Sequence, residues 1–156
     1  MDIDATLQKA LDAVQPWTQS VASPEANRRD VVVEAANLLK AVEALRNLKW
    51  GFLTAITGLD LGPEANKMEA LYHFAEGPTV LTFRVPLPRE NAVVPSVCGL
   101  IPPASLFERE LMEMFGVVCE GTPDPRRLFL TENWPSDAHP LRKDYVFPAA
   151  PAPRAN

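Results

Sequence analysis

Proline is the residue that most limits what this chain can become. Sixteen of the 156 residues are proline, and 12 of them stand at or after Pro86. Proline holds φ near about −65° and has no N–H to give, so it interrupts helices and sheet ladders. Regular structure therefore belongs mainly to the front half. The back half must be largely extended chain and turns.

Within that limit the apolar spacing predicts the elements. Ile3, Leu7, Ala10, Leu11 and Val14 make a helical stripe over 3–14, ended by Pro16. Residues 16–29 read as a loop. Val31-Val32-Val33 suits a strand. Leu38, Leu39, Val42, Leu45 and Leu48 share one face of a helix over 35–48. Residues 52–60 read as a buried strand, and 68–86 as a hairpin turning at Gly77-Pro78. Pro102-Pro103 opens a last helix over 104–115, which Gly116 closes. The expected class is α+β: a mainly antiparallel sheet with helices on one face, then a proline-rich irregular C-terminal third. The expected divisions are 1–29 (helix and loop), 30–147 (one domain) and 148–156 (a Pro/Ala tail expected to be disordered or extended).

Composition excludes several classes of function. Apolar residues make up 47% and charged residues 22%, ordinary values for a globular protein. A net charge of −5 argues against nucleic-acid binding. No run reaches the ~18 apolar residues of a membrane span. The acidic start Met1-Asp2-Ile3-Asp4 lacks the pattern of a secretory signal, so a cytosolic protein is expected, reaching a membrane only through partners. Cys98 and Cys119 read as buried, reduced thiols, too few to hold an iron–sulfur cluster alone. No P-loop, dinucleotide fingerprint, nucleophile elbow or zinc-protease motif occurs.

Three stretches near the C-terminus mix charge, apolar residues and turn formers at short intervals. On the last helix, Phe107, Leu111, Met114 and Phe115 form the expected apolar stripe. Glu108, Arg109, Glu110 and Glu113 are then expected on its flanks and outer face, with Arg109 paired to Glu113 one turn on. After Gly121, Pro123-Asp124-Pro125 is a rigid turn directly ahead of Arg126-Arg127, and Pro140-Leu141 precedes Arg142-Lys143 in the same style. Guanidinium groups held this way can bond carboxylates of a partner, or Glu108 and Glu110 of the same chain. His73 reads as a packed core residue. His139, in a turn, is a candidate proton-active group. An acid–base enzyme using Glu108, Glu110 and His139 would need these side chains to converge in a pocket. A generic binder of acidic partners is a further reading, which the acidic pI disfavours. Stiff chain studded with arginine best suits a surface that fixes a partner.

These stretches resemble a known family. Glu108-Arg109-Glu110-x-x-Glu113-Met114-Phe115-Gly116, then Glu120-Gly121-x-Pro123-Asp124-x-Arg126-Arg127-Leu128, then His139-Pro140-Leu141-Arg142-Lys143-Asp144-Tyr145, are similar to the small hydrophilic C subunit of respiratory complex I, NADH:quinone oxidoreductase. The same domain occurs in energy-converting membrane-bound [NiFe] hydrogenases and formate hydrogenlyase. Thr122 and Pro125 depart from the family, which usually has histidine and leucine there.

The resemblance implies a non-catalytic subunit of the peripheral arm, on the cytoplasmic side of the cell membrane. It implies docking on the large quinone-site subunit, or its [NiFe]-hydrogenase-like counterpart, beside iron–sulfur subunits. It implies no cofactor on this chain: NADH, FMN, iron–sulfur clusters, quinone or nickel–iron belong to neighbours. The three stretches are expected along the contact.

Overall fold

A computed structural model describes residues 2–147; the expected tail over 148–156 lies outside the described residues. Helix α1 (Ile3–Val14) begins where the Asp2 carboxylate accepts the Ala5 N–H, and it buries Leu7, Ala10 and Val14. Strands β1 (Thr18–Glu25) and β2 (Arg28–Val33) form an antiparallel hairpin. Helix α2 (Leu38–Leu48) buries Leu38, Ala41, Val42 and Leu45, and leads to β3 (Phe52–Asp60), β4 (Lys67–Glu76) and β5 (Thr79–Pro88). Short strand β6 (Val93–Pro95) precedes helix α3 (Ala104–Phe115), and β7 (Val118–Glu120) follows it.

The main sheet has the order β1-β2-β5-β4-β3. Every pairing in it is antiparallel except β2 with β5. Register makes the core. Val31, Phe83, Tyr72 and Ile56 stand opposite one another across four strands, all buried in the core they share with α1, α2 and α3. β6 and β7 pair in parallel as a separate two-stranded sheet. The expected α+β architecture is present.

One element reverses its sequence reading. Residues 18–25, expected as part of a loop, form the edge strand β1. Its side chains are exposed or half-buried and include Pro24, so no alternation of apolar and polar residues marks it. What makes it a strand is the ladder offered by β2. His73 also sits differently from expectation. It is half-buried on the outer face of the sheet, where Thr57 and Thr82 hydroxyls each lie 3.0 Å from a ring nitrogen. Burial, then the neighbouring Arg28, lower its pKa below the ordinary histidine value.

Helix α3 lies against β3, and Gly58 makes that approach possible. A Cβ there would come 2.4 Å from the Phe115 ring. Beyond β7 no helix or strand occurs in residues 121–147. They run as a strap that returns to the end of α3.

Candidate functional site

The carboxyl end of α3 is where the three sequence stretches meet. A helix leaves its last four carbonyls without partners from its own ladder. Here Gly116 N–H donates to Met112 O at 2.9 Å, and Leu141 N–H donates to Met114 O at 3.1 Å. His139 Nδ1 donates to Glu113 O at 3.0 Å, and Arg142 Nε donates to Phe115 O at 2.7 Å. The stretch His139–Arg142 is thus a cap supplied from across the chain. Gly116, at φ 70°, is pressed against it: a Cβ would fall 2.4 Å from His139 Nε2.

The side of α3 holds the earlier part of the strap. Glu113, expected on the outer face beside Arg109, is instead buried. Its carboxylate accepts the N–H groups of Phe129 at 2.9 Å and Leu130 at 2.8 Å, with Leu128 N–H at 3.3 Å. Arg109 turns the other way. Its guanidinium donates to Arg126 O at 2.8 Å and to Arg127 O, and lies 3.5 Å from Asp124. Backbone groups outcompete the expected Arg109–Glu113 pair because they would otherwise lose water without a partner. Arg127 donates to Thr131 O at 3.0 Å and to Trp134 O at 2.6 Å. Arg126 pairs with Asp124 at 2.8 Å and is otherwise exposed. That pair holds the Asp124 carboxyl well below the usual range.

Glu108 also departs from its expected outer position. It is 0% exposed, and the buried stripe of α3 is Ala104, Glu108, Leu111, Glu113 and Phe115. Its carboxylate accepts Val97 N–H at 2.7 Å and the Ser96 hydroxyl at 2.8 Å, with the Cys98 thiol at 3.3 Å. Glu108 therefore fastens the β6–α3 connection to the helix. Cys98 and Cys119 are both buried and free, as the sequence suggests, and burial raises the pKa of each thiol.

A second fastening reaches the far corner of the sheet. Arg89, just past β5, donates to both oxygens of Asp60 at 2.9 and 3.1 Å, and to Asp144 of the strap. Lys143 N–H donates to Asp60 at 2.8 Å. Burial alone would raise the Asp60 pKa. The Arg89 guanidinium and the Lys143 and Gly62 N–H groups outweigh it and hold the carboxyl at about 2. Neither Asp60 nor Arg89 stands out in the sequence, because a pair 29 residues apart has no local signature.

The remaining sequence-singled residues line this assembly. Glu110 and Leu141 border a cleft with Thr57, Gly58 and Phe115. Gly121, at φ 81°, and Pro123 carry the chain out of β7 on the exposed side. Pro140 is half-buried beside His139, and Lys143 and Asp144 are exposed. Tyr145 packs 6.0 Å from Trp134 and 4.8 Å, edge-on, from Phe147. The acid–base trio does not converge: Glu108 is sealed, Glu110 lines the β3 cleft, and His139 lines a different cavity with Arg109 and Trp134. Among the described residues no group of three or more His, Cys, Asp or Glu side chains is placed to hold a metal ion, and no helix is long and apolar enough to cross a membrane.

Residues 31–151 match the family described as the 30 kD subunit of respiratory-chain NADH dehydrogenase. The chain belongs to that family. Among relatives of this 30 kD subunit family, the C subunit of NADH-quinone oxidoreductase from Rhizobium rhizogenes is 38% identical over 120 residues, covering 74% of this chain and 59% of its own length. The corresponding NADH-quinone oxidoreductase protein of Saccharopolyspora erythraea is 31% identical, covering 85% of this chain and 56% of its own length. The chain thus spans less than two thirds of these two relatives. The J subunit of NAD(P)H-quinone oxidoreductase from Prochlorococcus marinus is 36% identical, covering 76% and 72%. Solved structures share the fold of this family. A chain of the membrane-bound sulfane sulfur reductase, an archaeal respiratory membrane complex, superposes with a TM-score of 0.77 at 21% identity, covering 92% of this chain and 85% of that one. A trypsin-resistant fragment of Nqo5 superposes with a TM-score of 0.63 at 24% identity, covering 80% and 99%.

Proposed function

We propose that this chain is a non-catalytic structural subunit of a membrane-associated NADH:quinone oxidoreductase. It sits in the peripheral arm on the cytoplasmic side and docks on the large quinone-site subunit beside the iron–sulfur subunits. It supports electron transfer coupled to ion translocation without a cofactor of its own. The relatives at 31–38% identity that bear the NADH-quinone oxidoreductase name favour this reading over the hydrogenase counterpart.

One observation carries the docking role. Polar side chains of α3 and the strap are occupied within the chain: Arg109, Glu113, Arg127, His139 and Arg142 fasten the strap, and Glu108 fastens the β6–α3 connection. The strap turns large apolar side chains outward as well as the exposed Arg126, Lys143 and Asp144. Phe129 is 64% exposed and Val146 84%, with Leu141 and Phe147 alongside. Apolar side chains on a backbone already held in place lose little entropy when a partner covers them.

The test is Phe129→Glu combined with Leu141→Glu in the chromosomal copy. The purified variant should unfold within about 0.5 kcal/mol of wild type, as surface changes do. In membranes, the arm and NADH-driven quinone reduction should be lost together. A fully assembled, active complex would overturn the docking role. Co-purification with a nickel-binding large subunit would move the chain to the hydrogenase branch.

A further inference from the structure

A second surface lies at the opposite end of β3 from the strap's ion-pair fastening. Phe52 begins that strand and Asp60 ends it, a separation of roughly 25 Å along the strand. At the Phe52 end, the turn from α2 into β3 forms an apolar cleft floored by Leu45, Trp50, Leu53, Phe74 and Ile101. Phe52 stands at its edge and is 67% exposed. A solitary exposed aromatic is unremarkable, but one beside an open apolar cleft is half of a docking pair.

The turn is built to hold this arrangement. Lys49 caps α2 in the left-handed region, φ 53°, where glycine is the usual occupant. Gly51 is left-handed as well, φ 58°, and donates its N–H to the Glu76 carboxylate at 2.8 Å. A Cβ on Gly51 would fall 2.2 Å from Ala75 O, so this position has no room for a side chain. A side chain kept at Lys49 despite the backbone cost puts a cation beside the cleft. Arg46, one turn back on α2, lines the same cleft. Both are exposed, and neither has an ion-pair partner among the described residues. Asp2 and Glu76 share a cavity with Lys49 without an ion pair to it, and Glu76 accepts the Gly51 N–H.

We infer that this cleft docks an extended segment of a neighbouring protein chain, an apolar side chain entering the cleft and an adjacent carboxylate meeting Arg46 and Lys49. Charge complementarity selects the occupant: an apolar floor with two unpaired cations on its rim fits an acidic–apolar segment. A lipid surface fits less well, since surface attraction to anionic headgroups relies on larger basic clusters, about 4–8 residues. Two docking sites at opposite ends of one strand would make the subunit a tie between neighbours. The inference stands on its own residues and survives or fails separately from the role of the strap.

The experiment places a photo-crosslinking p-benzoylphenylalanine at Phe52 in one strain and at Phe129 of the strap in another. Native membranes of each are irradiated and the crosslinked peptides sequenced. Position 52 should trap a segment of another protein with Asp or Glu next to the trapped residue. Arg46→Glu with Lys49→Glu should lower that yield about tenfold, the effect of losing ~1.4 kcal/mol, and leave the yield at 129 unchanged. The inference is overturned if 129 crosslinks and 52 does not. It is also overturned if 52 traps lipid, a second copy of this chain or a segment without carboxylates, or if charge reversal changes nothing. Absence of crosslinks at both positions would remove the cleft and the strap's docking role together.

Discussion

The backbone of Gly116 lies directly against the imidazole of His139, with room for hydrogen only: a methyl group there would come 2.4 Å from Nε2. Because φ is 70°, the same substitution also strains the backbone. Gly116→Ala should therefore cost about 1–3 kcal/mol in urea unfolding. His139→Ala in the same background should recover part of the loss by removing the clash. Wild-type stability in Gly116→Ala would show that the strap does not press on the helix end.

Glu113 holds three successive N–H groups, those of Leu128, Phe129 and Leu130. An amide at this position keeps one acceptor oxygen and loses the charge. Glu113→Gln should weaken the strap by about 1–3 kcal/mol, the cost of leaving buried donors poorly met. Hydrogen exchange reads this locally: amides 128–130 should lose protection while those of β4 and β5 keep theirs.

Acid should open the strap's corner at Asp60. This carboxyl has its pKa depressed to about 2 in the fold, against an ordinary value of 3.8. A depressed carboxyl contributes stability that is present above its unfolded pKa and lost as pH falls through the folded one. The contribution should thus be whole at pH ~5 and disappear between pH ~4 and ~2. Asp144, lowered by its bond to Arg89, acts in the same direction. Unfolding curves of wild type and Asp60→Asn should converge across this window and differ by a constant amount above it.

Glu108→Leu removes the acceptor from the buried Val97 N–H and the half-buried Ser96 hydroxyl. The expected loss is about 1–3 kcal/mol per orphaned donor, with Glu108→Gln falling between leucine and wild type in a thermal melt. An apolar side chain that stabilised the protein would mean the β6–α3 connection can rearrange to satisfy itself.

The two thiols offer a check without mutation. Cys98 and Cys119 are buried, and burial raises both pKa values. A thiol reagent at pH ~8 should label neither in the native protein and both after denaturation, because the thiolate is the reactive form. Rapid labelling of Cys98 alone in Glu108→Leu would report opening of that connection.

Helices α1, α2 and α3 and the β4–β5 hairpin can be read from the sequence because burial there follows a period of about 3.6 or 2. β1 cannot, since neither of its faces is covered and its register comes from β2. Glu108 is misread for a related reason. It occupies an inward position of α3, but a carboxylate is ordinarily assigned to water, and its donors lie in a connection with no pattern of its own. Arg109, Arg127, His139 and Arg142 bond carbonyl oxygens, which carry no residue identity, so their partners are invisible in sequence. The motifs single out the segments that the structure brings together, but do not show that these meet one another. They do not say that the charged groups point inward.

The strap's place in the chain bears on biosynthesis. The seven strands and three α-helices of the described residues precede residues 139–145, so they leave the ribosome while the end of α3 still has three carbonyls waiting for His139, Leu141 and Arg142. A nascent polypeptide stalled before that point could assemble its sheet yet present no seated Leu141 and no closed corner at Asp60. A neighbour that recognises the seated strap would pass over unfinished products, so the helix terminus would report a completed chain.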